Sequence, residues 1–209
     1  MSIKRFFILL VVFSLILLST AHSKDMEEPI EVLRKPLQGM MEILKDPLYQ
    51  DAEHKKKQKG KLSDLALKIF NFTEIAKRSL ARNWKVFTPQ ERMDFTNTFK
   101  ELLENTYINK IQGEFQNEEI LFLSQEKISD IKAVVKTVIV RKTGDIPTDY
   151  RMICRKKKWG IYDVSIEGVS LVKNYRTQFN DFLSKKSPAK LIDKIKKKVA
   201  EIKSEKTKK

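Results

Sequence analysis

Groups able to do covalent or acid–base chemistry are scarce in this chain. Its one cysteine, Cys154, follows Tyr150 and Met152 with a period of two, which reads as a strand position holding a small buried hydrophobe. A thiol nucleophile needs a base, normally histidine, and the two histidines are His22 and His54. Such scarcity also weakens metal sites and general bases built on imidazole. The adjacent carboxylates Glu27/Glu28 and Glu118/Glu119 diverge on any regular structure and read as solvated charge. Asp163 is the remaining candidate acid. It is either a buried acid in a pocket, as in isomerases built on a cone-shaped α+β fold, or a strand residue that pairs with an arginine or faces water. No GxSxG, no HExxH and no glycine-rich phosphate loop occurs, and there are six glycines in all.

The N-terminus has a different logic. Lys4 and Arg5 precede an apolar run from Phe6 to Leu18, and small residues follow at Ser19, Ala21 and Ser23. A charged start, a short apolar core and a small-residue exit make a secretory signal peptide over residues 1–21, cut after Ala21 or after Ser23. The run is too short for the roughly 20 residues that span a bilayer, and no cysteine follows it to take a lipid. Export with a single cysteine leaves no internal disulfide, so a core must hold the mature fold. Residues 22–184 are long enough for one sizeable domain.

Charge is uneven. Lys and Arg number 42 against 27 Asp and Glu, a formal net charge of +15. Eleven of those lysines, with three acids, lie in residues 185–209. Phosphate-binding surfaces interleave aromatics with the cations, and no aromatic follows Phe182; with export, this argues against a nucleic-acid partner. The tail reads as a solvated helix, a helix seeking an anionic lipid surface, or a frayed end.

Periodicity supplies the elements. Ile30, Leu33, Leu37, Met40 and Leu44 form one helical face across Pro36, which kinks the helix or starts it. A helix follows over residues 50–70, then a short one with Phe72, Ile75, Ala76 and Leu80. Thr88, Pro89 and Glu91 form a capping signal opening a long helix with Phe95, Phe99, Leu102, Leu103, Tyr107 and Ile111 on its apolar face. From residue 119 the period falls to two, giving strands over 119–126, 131–142, 148–155 and 158–167 joined by short links, an antiparallel meander. After Gly168 it returns to 3.6, with Val169, Val172, Tyr175, Phe179 and Leu183 on a stripe. A last segment carries Leu191, Ile195, Val199 and Ile202. The fold class is α+β: N-terminal helices, a four- to five-strand antiparallel meander sheet and C-terminal helix. Hydrophobes on both faces of several strands make either ordinary core or the wall of an apolar cavity.

Specific strings go further. FNF (70–72), AKRSLARNWK (76–85), TPQER (88–92), FKELLENTY (99–107), VKT (135–137), PTDYRM (147–152) and WGIYDVSIEGVSLVKNYRTQF (159–179) occur in one order. Together they closely resemble the MlaC family, the periplasmic component of the maintenance-of-lipid-asymmetry pathway, also called the toluene-tolerance auxiliary family. Ala81 stands where that family usually has glycine. The resemblance implies a nuclear transport factor 2-like cone with an apolar cavity. It implies a periplasmic carrier, not an enzyme, without cofactor or metal, that shuttles glycerophospholipid between an outer-membrane lipoprotein–porin complex and an inner-membrane ABC transporter complex. Expected lining residues of the lipid-binding domain, 22–184, are Phe72, Trp84, Phe95, Phe99, Leu103, Val135, Ile139, Tyr150, Met152, Tyr162, Val164, Val169, Val172 and Tyr175. Arg78, Arg82 and Lys85 are expected to meet the headgroup or a partner, and the chain is expected to act as a monomer. The competing reading is a periplasmic enzyme on the same cone, using Asp163, or a binding module for another apolar molecule.

Overall fold

The computed structural model describes residues 27–49 and 51–207; the expected signal peptide and its cleavage site lie outside the described residues. Helix α1 (Pro29–Lys45) begins on a proline, whose fixed φ and missing N–H suit the first helical position. It continues through Pro36, so the proline neither starts nor ends it. Leu33 and Leu37 are buried on the face that crosses the sheet.

After a 3₁₀ turn (Pro47–Tyr49), α2 (Ala52–Ile69) is capped by Asp51, which accepts from the His54 amide. Asn71 caps α3 (Phe72–Leu80) by accepting from the Glu74 amide, and a 3₁₀ turn (Ala81–Lys85) follows. Helix α4 (Pro89–Leu103) carries the full capping box. Thr88 Oγ1 accepts from the Glu91 amide at 3.2 Å, and the Glu91 carboxylate accepts from the Thr88 amide at 2.9 Å. A π-helical turn (Glu104–Ile108) leads into α5 (Asn109–Glu114). That turn adds a residue per revolution and rotates the apolar face, so Ile108 is 7% exposed while Ile111, expected inside, is 46% exposed.

The sheet is a five-strand antiparallel meander in the order β1 (Glu119–Ser129), β2 (Lys132–Val140), β3 (Ile146–Arg155), β4 (Lys158–Ile166) and β5 (Val169–Ser170). Val135 stands opposite Tyr150, and Tyr150 opposite Val164, so the period of two delivers one apolar row across three strands. Gly168, at φ +80, takes a backbone conformation that side chains resist and turns β4 into β5. The helical period expected from Val169 begins two residues later, because Val169 pairs with Ile166 in the sheet. Ser170 then caps α6 (Leu171–Leu183) by accepting from the Lys173 amide.

The last segment is a helix, α7 (Pro188–Thr207), packed chiefly on α4. Leu191, Ile192, Ile195 and Val199 are buried in that contact. One face of the lysine-rich segment thus belongs to the core, and the others are solvated. No described helix is long and apolar enough to cross a membrane.

Candidate functional site

Two apolar clusters fill the interior. The first is built by helices α3, α4, α6 and α7. The i, i+4 spacing of Phe95 and Phe99 on α4, and of Tyr175 and Phe179 on α6, sets the four rings against one another. Phe99 meets Tyr175 with ring centroids 4.8 Å apart and Phe179 at 5.1 Å, both edge-on, while Phe95 meets Phe179 at 5.4 Å. Such tilted pairs contribute about 0.5–1.5 kcal/mol each beyond area burial. Tyr175 and Tyr107 stand close enough for each phenol to influence the other's ionisation. Burial pushes the Tyr175 phenol far above its usual range, and burial also raises Tyr107. The pair stays neutral and is a polar point in an otherwise apolar wall.

The second cluster lies on the sheet and is covered by α1. It contains Val135, Tyr150, Met152, Cys154, Trp159 and Ile161 with Leu33, Leu37 and Ile69, and Val164 packs against it. Burial pushes the Tyr150 phenol up to about 12. Cys154 is thus a small core residue, as its period suggested, and His54 sits at the start of α2 beside Asp51.

Phe70 packs against both clusters. There the α2–α3 junction is stitched to β4: the Asn71 amide donates to the Ile161 carbonyl at 2.8 Å, and Phe70 bridges Ile161. Gly160 permits this approach, since a Cβ there would stand 3.2 Å from the Asn71 Cβ.

Asp163 is 7% exposed and fully committed. One carboxylate oxygen accepts from the Ser170 hydroxyl at 2.7 Å and the other from the Val172 amide at 3.0 Å, with Arg151 at 3.9 Å. It secures the start of α6, where a negative charge also suits the helix dipole. An acid tied to a backbone amide and a hydroxyl is an anchor rather than a base awaiting substrate.

The expected lining residues divide between the clusters. Phe72, Trp84, Phe95, Phe99, Leu103, Val172 and Tyr175 belong to the helical cluster, and Val135, Tyr150, Met152 and Val164 to the sheet cluster. Three fall in neither. Ile139 is half-buried opposite Ile146. Val169 is 65% exposed. Tyr162 lies under the Arg78 guanidinium, 4.0 Å from its ring centroid.

The basic residues also separate. Arg78 lines a surface cleft of about 400 Å³ with Glu74, Lys77, Ala81, Arg155 and Arg176, whereas Arg82 and Lys85 are exposed on the 3₁₀ turn outside it. Arg155 and Arg176 were not singled out by the sequence. They come from β3 and α6, far from Arg78 in the chain, and no local pattern joins them. Ala81 has φ +48 and ψ −122, a backbone conformation glycine adopts at little cost.

Among comparisons with known proteins, the family model described as "MlaC protein" matches residues 34–197. The chain belongs to the MlaC family. Its fold is shared with a phospholipid-binding protein from Ralstonia solanacearum solved in complex with a phospholipid, at a TM-score of 0.73 and 19% identity, covering 84% of this chain and 99% of that one. No curated protein matches significantly. The MlaC-family match begins within α1 and ends within α7, so it covers the basic cleft and most of both clusters, leaving out the buried Leu33 and Val199 at their edges.

Proposed function

We propose that the protein is a phospholipid carrier of the bacterial periplasm, passing glycerophospholipid between an outer-membrane lipoprotein–porin complex and an inner-membrane ABC transporter complex. The observation that carries this reading is a pair of apolar clusters, one helical and one on the sheet, joined at Phe70, in a fold shared with a protein solved with phospholipid. Acyl chains would lie between the clusters, against Phe72, Phe99, Val172 and Tyr175 on one side and Val135, Met152 and Val164 on the other.

Physical chemistry limits how tightly such an interior should bind. Each buried CH₂ contributes about 0.8 kcal/mol, so two acyl chains represent roughly 20 kcal/mol or more relative to water. The bilayer already supplies that burial. A carrier has to match it without exceeding it, or release fails; an aliphatic and aromatic wall with few polar anchors suits the task. Asp163 is spent on the α6 start and Cys154 on the core, which favours binding over catalysis.

Protein expressed in an exporting host should yield phospholipid on organic extraction, detected by mass spectrometry. Repeated native preparations without lipid, together with no uptake from vesicles, would sink the carrier reading.

A further inference from the structure

Two clefts meet at Arg155. The first, of about 400 Å³, is the one that holds Arg78; the second, of about 310 Å³, runs along the α2–α3 junction and the β3–β4 hairpin. Between them they gather six basic side chains: Lys68, Lys77, Arg78, Arg155, Lys158 and Arg176. Lys156 and Lys157 extend the charge at the hairpin turn, where positive φ values of 49 and 62 carry the chain round between Arg155 and Lys158.

Against these cations stands one carboxylate, Glu74, which both Arg78 and Arg155 share. Its Oε2 accepts from Arg78 Nε at 3.1 Å, and its Oε1 from Arg155 at 3.2 and 3.3 Å. One negative charge divided between two guanidiniums leaves both with donors to spare. Arg176 commits only its Nε, to the Arg78 carbonyl at 2.9 Å, and has no ion pair among the described residues. Guanidinium groups converging on a concavity match the tetrahedral oxygens of a phosphate, which takes paired N–H donors.

Apolar surface lies directly alongside. The second cleft is also lined by Ile69 and Trp159 of the sheet cluster, by Phe72 of the helical cluster, and by Phe70, which touches both. An amphiphile whose head is anionic finds charge and apolar surface side by side here.

We propose that these joined clefts form a phosphate-binding site, the phosphate being carried by a lipid headgroup or present as the free anion. The lipid arm rests on the carrier reading above; the free-phosphate arm does not. Glu74 is the resident competitor, holding the arginines in place and yielding them when a phosphate arrives.

The test uses the mature chain and two variants at cleft residues. Lys77→Gln with Arg155→Gln removes two exposed cations without touching the core, and Glu74→Gln removes the competitor. Each protein is incubated with vesicles of phosphatidylglycerol and phosphatidylethanolamine, and the captured headgroups are counted by mass spectrometry. Each is also titrated with inorganic phosphate by calorimetry, and circular dichroism checks folding. We expect the wild type to enrich the anionic lipid over the vesicle ratio, the double variant to lose the enrichment at unchanged total lipid, and Glu74→Gln to increase it. If free phosphate is the ligand, its binding weakens about tenfold in the double variant, as for loss of a charged hydrogen bond. Enrichment that changes without phosphate binding assigns the site to the headgroup, and the reverse assigns it to the free anion. If neither readout moves in either variant, the site is refuted. If no protein takes up lipid, the carrier reading fails, and the phosphate titration alone decides the site.

Discussion

Individual residues carry the sharpest expectations. Ala81 ends α3 at φ +48, ψ −122, a conformation that costs a residue with a Cβ about 1–3 kcal/mol. Glycine relieves that strain but gives back about 0.4–1 kcal/mol by loosening the unfolded chain. Ala81→Gly should therefore stabilise the protein by about 1 kcal/mol and raise the Tm by about 2–4 °C, and a Tm that falls would show that the backbone relaxes there. The glycine that the resemblance led one to expect at position 81 was legible in the sequence; that alanine there costs strain was not, because φ is a property of the folded turn. Buried phenols make a second expectation. Tyr150, with its pKa pushed up to about 12 from an ordinary 10, holds its proton more tightly when folded. Its contribution to stability is complete below about pH 10 and is lost as pH rises toward 12. Tyr175, held higher still by burial, adds to the same alkaline limb. Tyr150→Phe should flatten the fall in stability between pH 10 and 12, by about 2 kcal/mol at the top of that window, as measured by denaturant melts across pH. An unchanged alkaline limb would mean that Tyr150 reaches water in the folded state.

Elements were legible where local chemistry decides them. The Thr88 capping box and the period-two run of β2 appear where the sequence puts them, because caps and pleats are read from neighbours in the chain. Ile111 was misplaced for the complementary reason: a π turn at Glu104–Ile108 arises from packing and shifts the helical phase without leaving a local mark. Val169 was assigned to the following helix because its spacing fits, yet pairing with Ile166 holds it in the sheet. The lysine-rich C-terminal segment carried its apolar stripe in plain sight, but nothing in the stripe says which helix receives it. α4 does, with Leu191 only 2% exposed. Leu191→Ala should then cost about 2–5 kcal/mol, the penalty of a cavity in a packed core, read from urea midpoints. A cost under about 0.5 kcal/mol would place α7 as a loosely held tail.

At the scale of the whole molecule, eleven of the fourteen expected lining residues divide between two separate clusters, and Ile139, Tyr162 and Val169 fall in neither. Sequence periodicity identified those apolar faces; it could not say which faces meet, and it had no access to the basic clefts, whose cations come from α2, α3, β3, β4 and α6. The two clusters share Phe70 and are stitched by the bond from the Asn71 amide to Ile161. A carrier built this way has to part its layers before an acyl chain can enter, since residues such as Phe99, Val135 and Met152 already pack against neighbours of their own layer. Opening then becomes a step that vesicles cannot hasten. The initial rate of uptake of a fluorescent phospholipid should rise with vesicle concentration and then level off at the opening rate. Gly160→Ala, which crowds Asn71 at the stitch, should raise that plateau while lowering the stability of the lipid-free protein. A rate that stays proportional to vesicle concentration throughout would mean that the layers already stand apart, and that encounter with the membrane, not separation of the two clusters, governs loading.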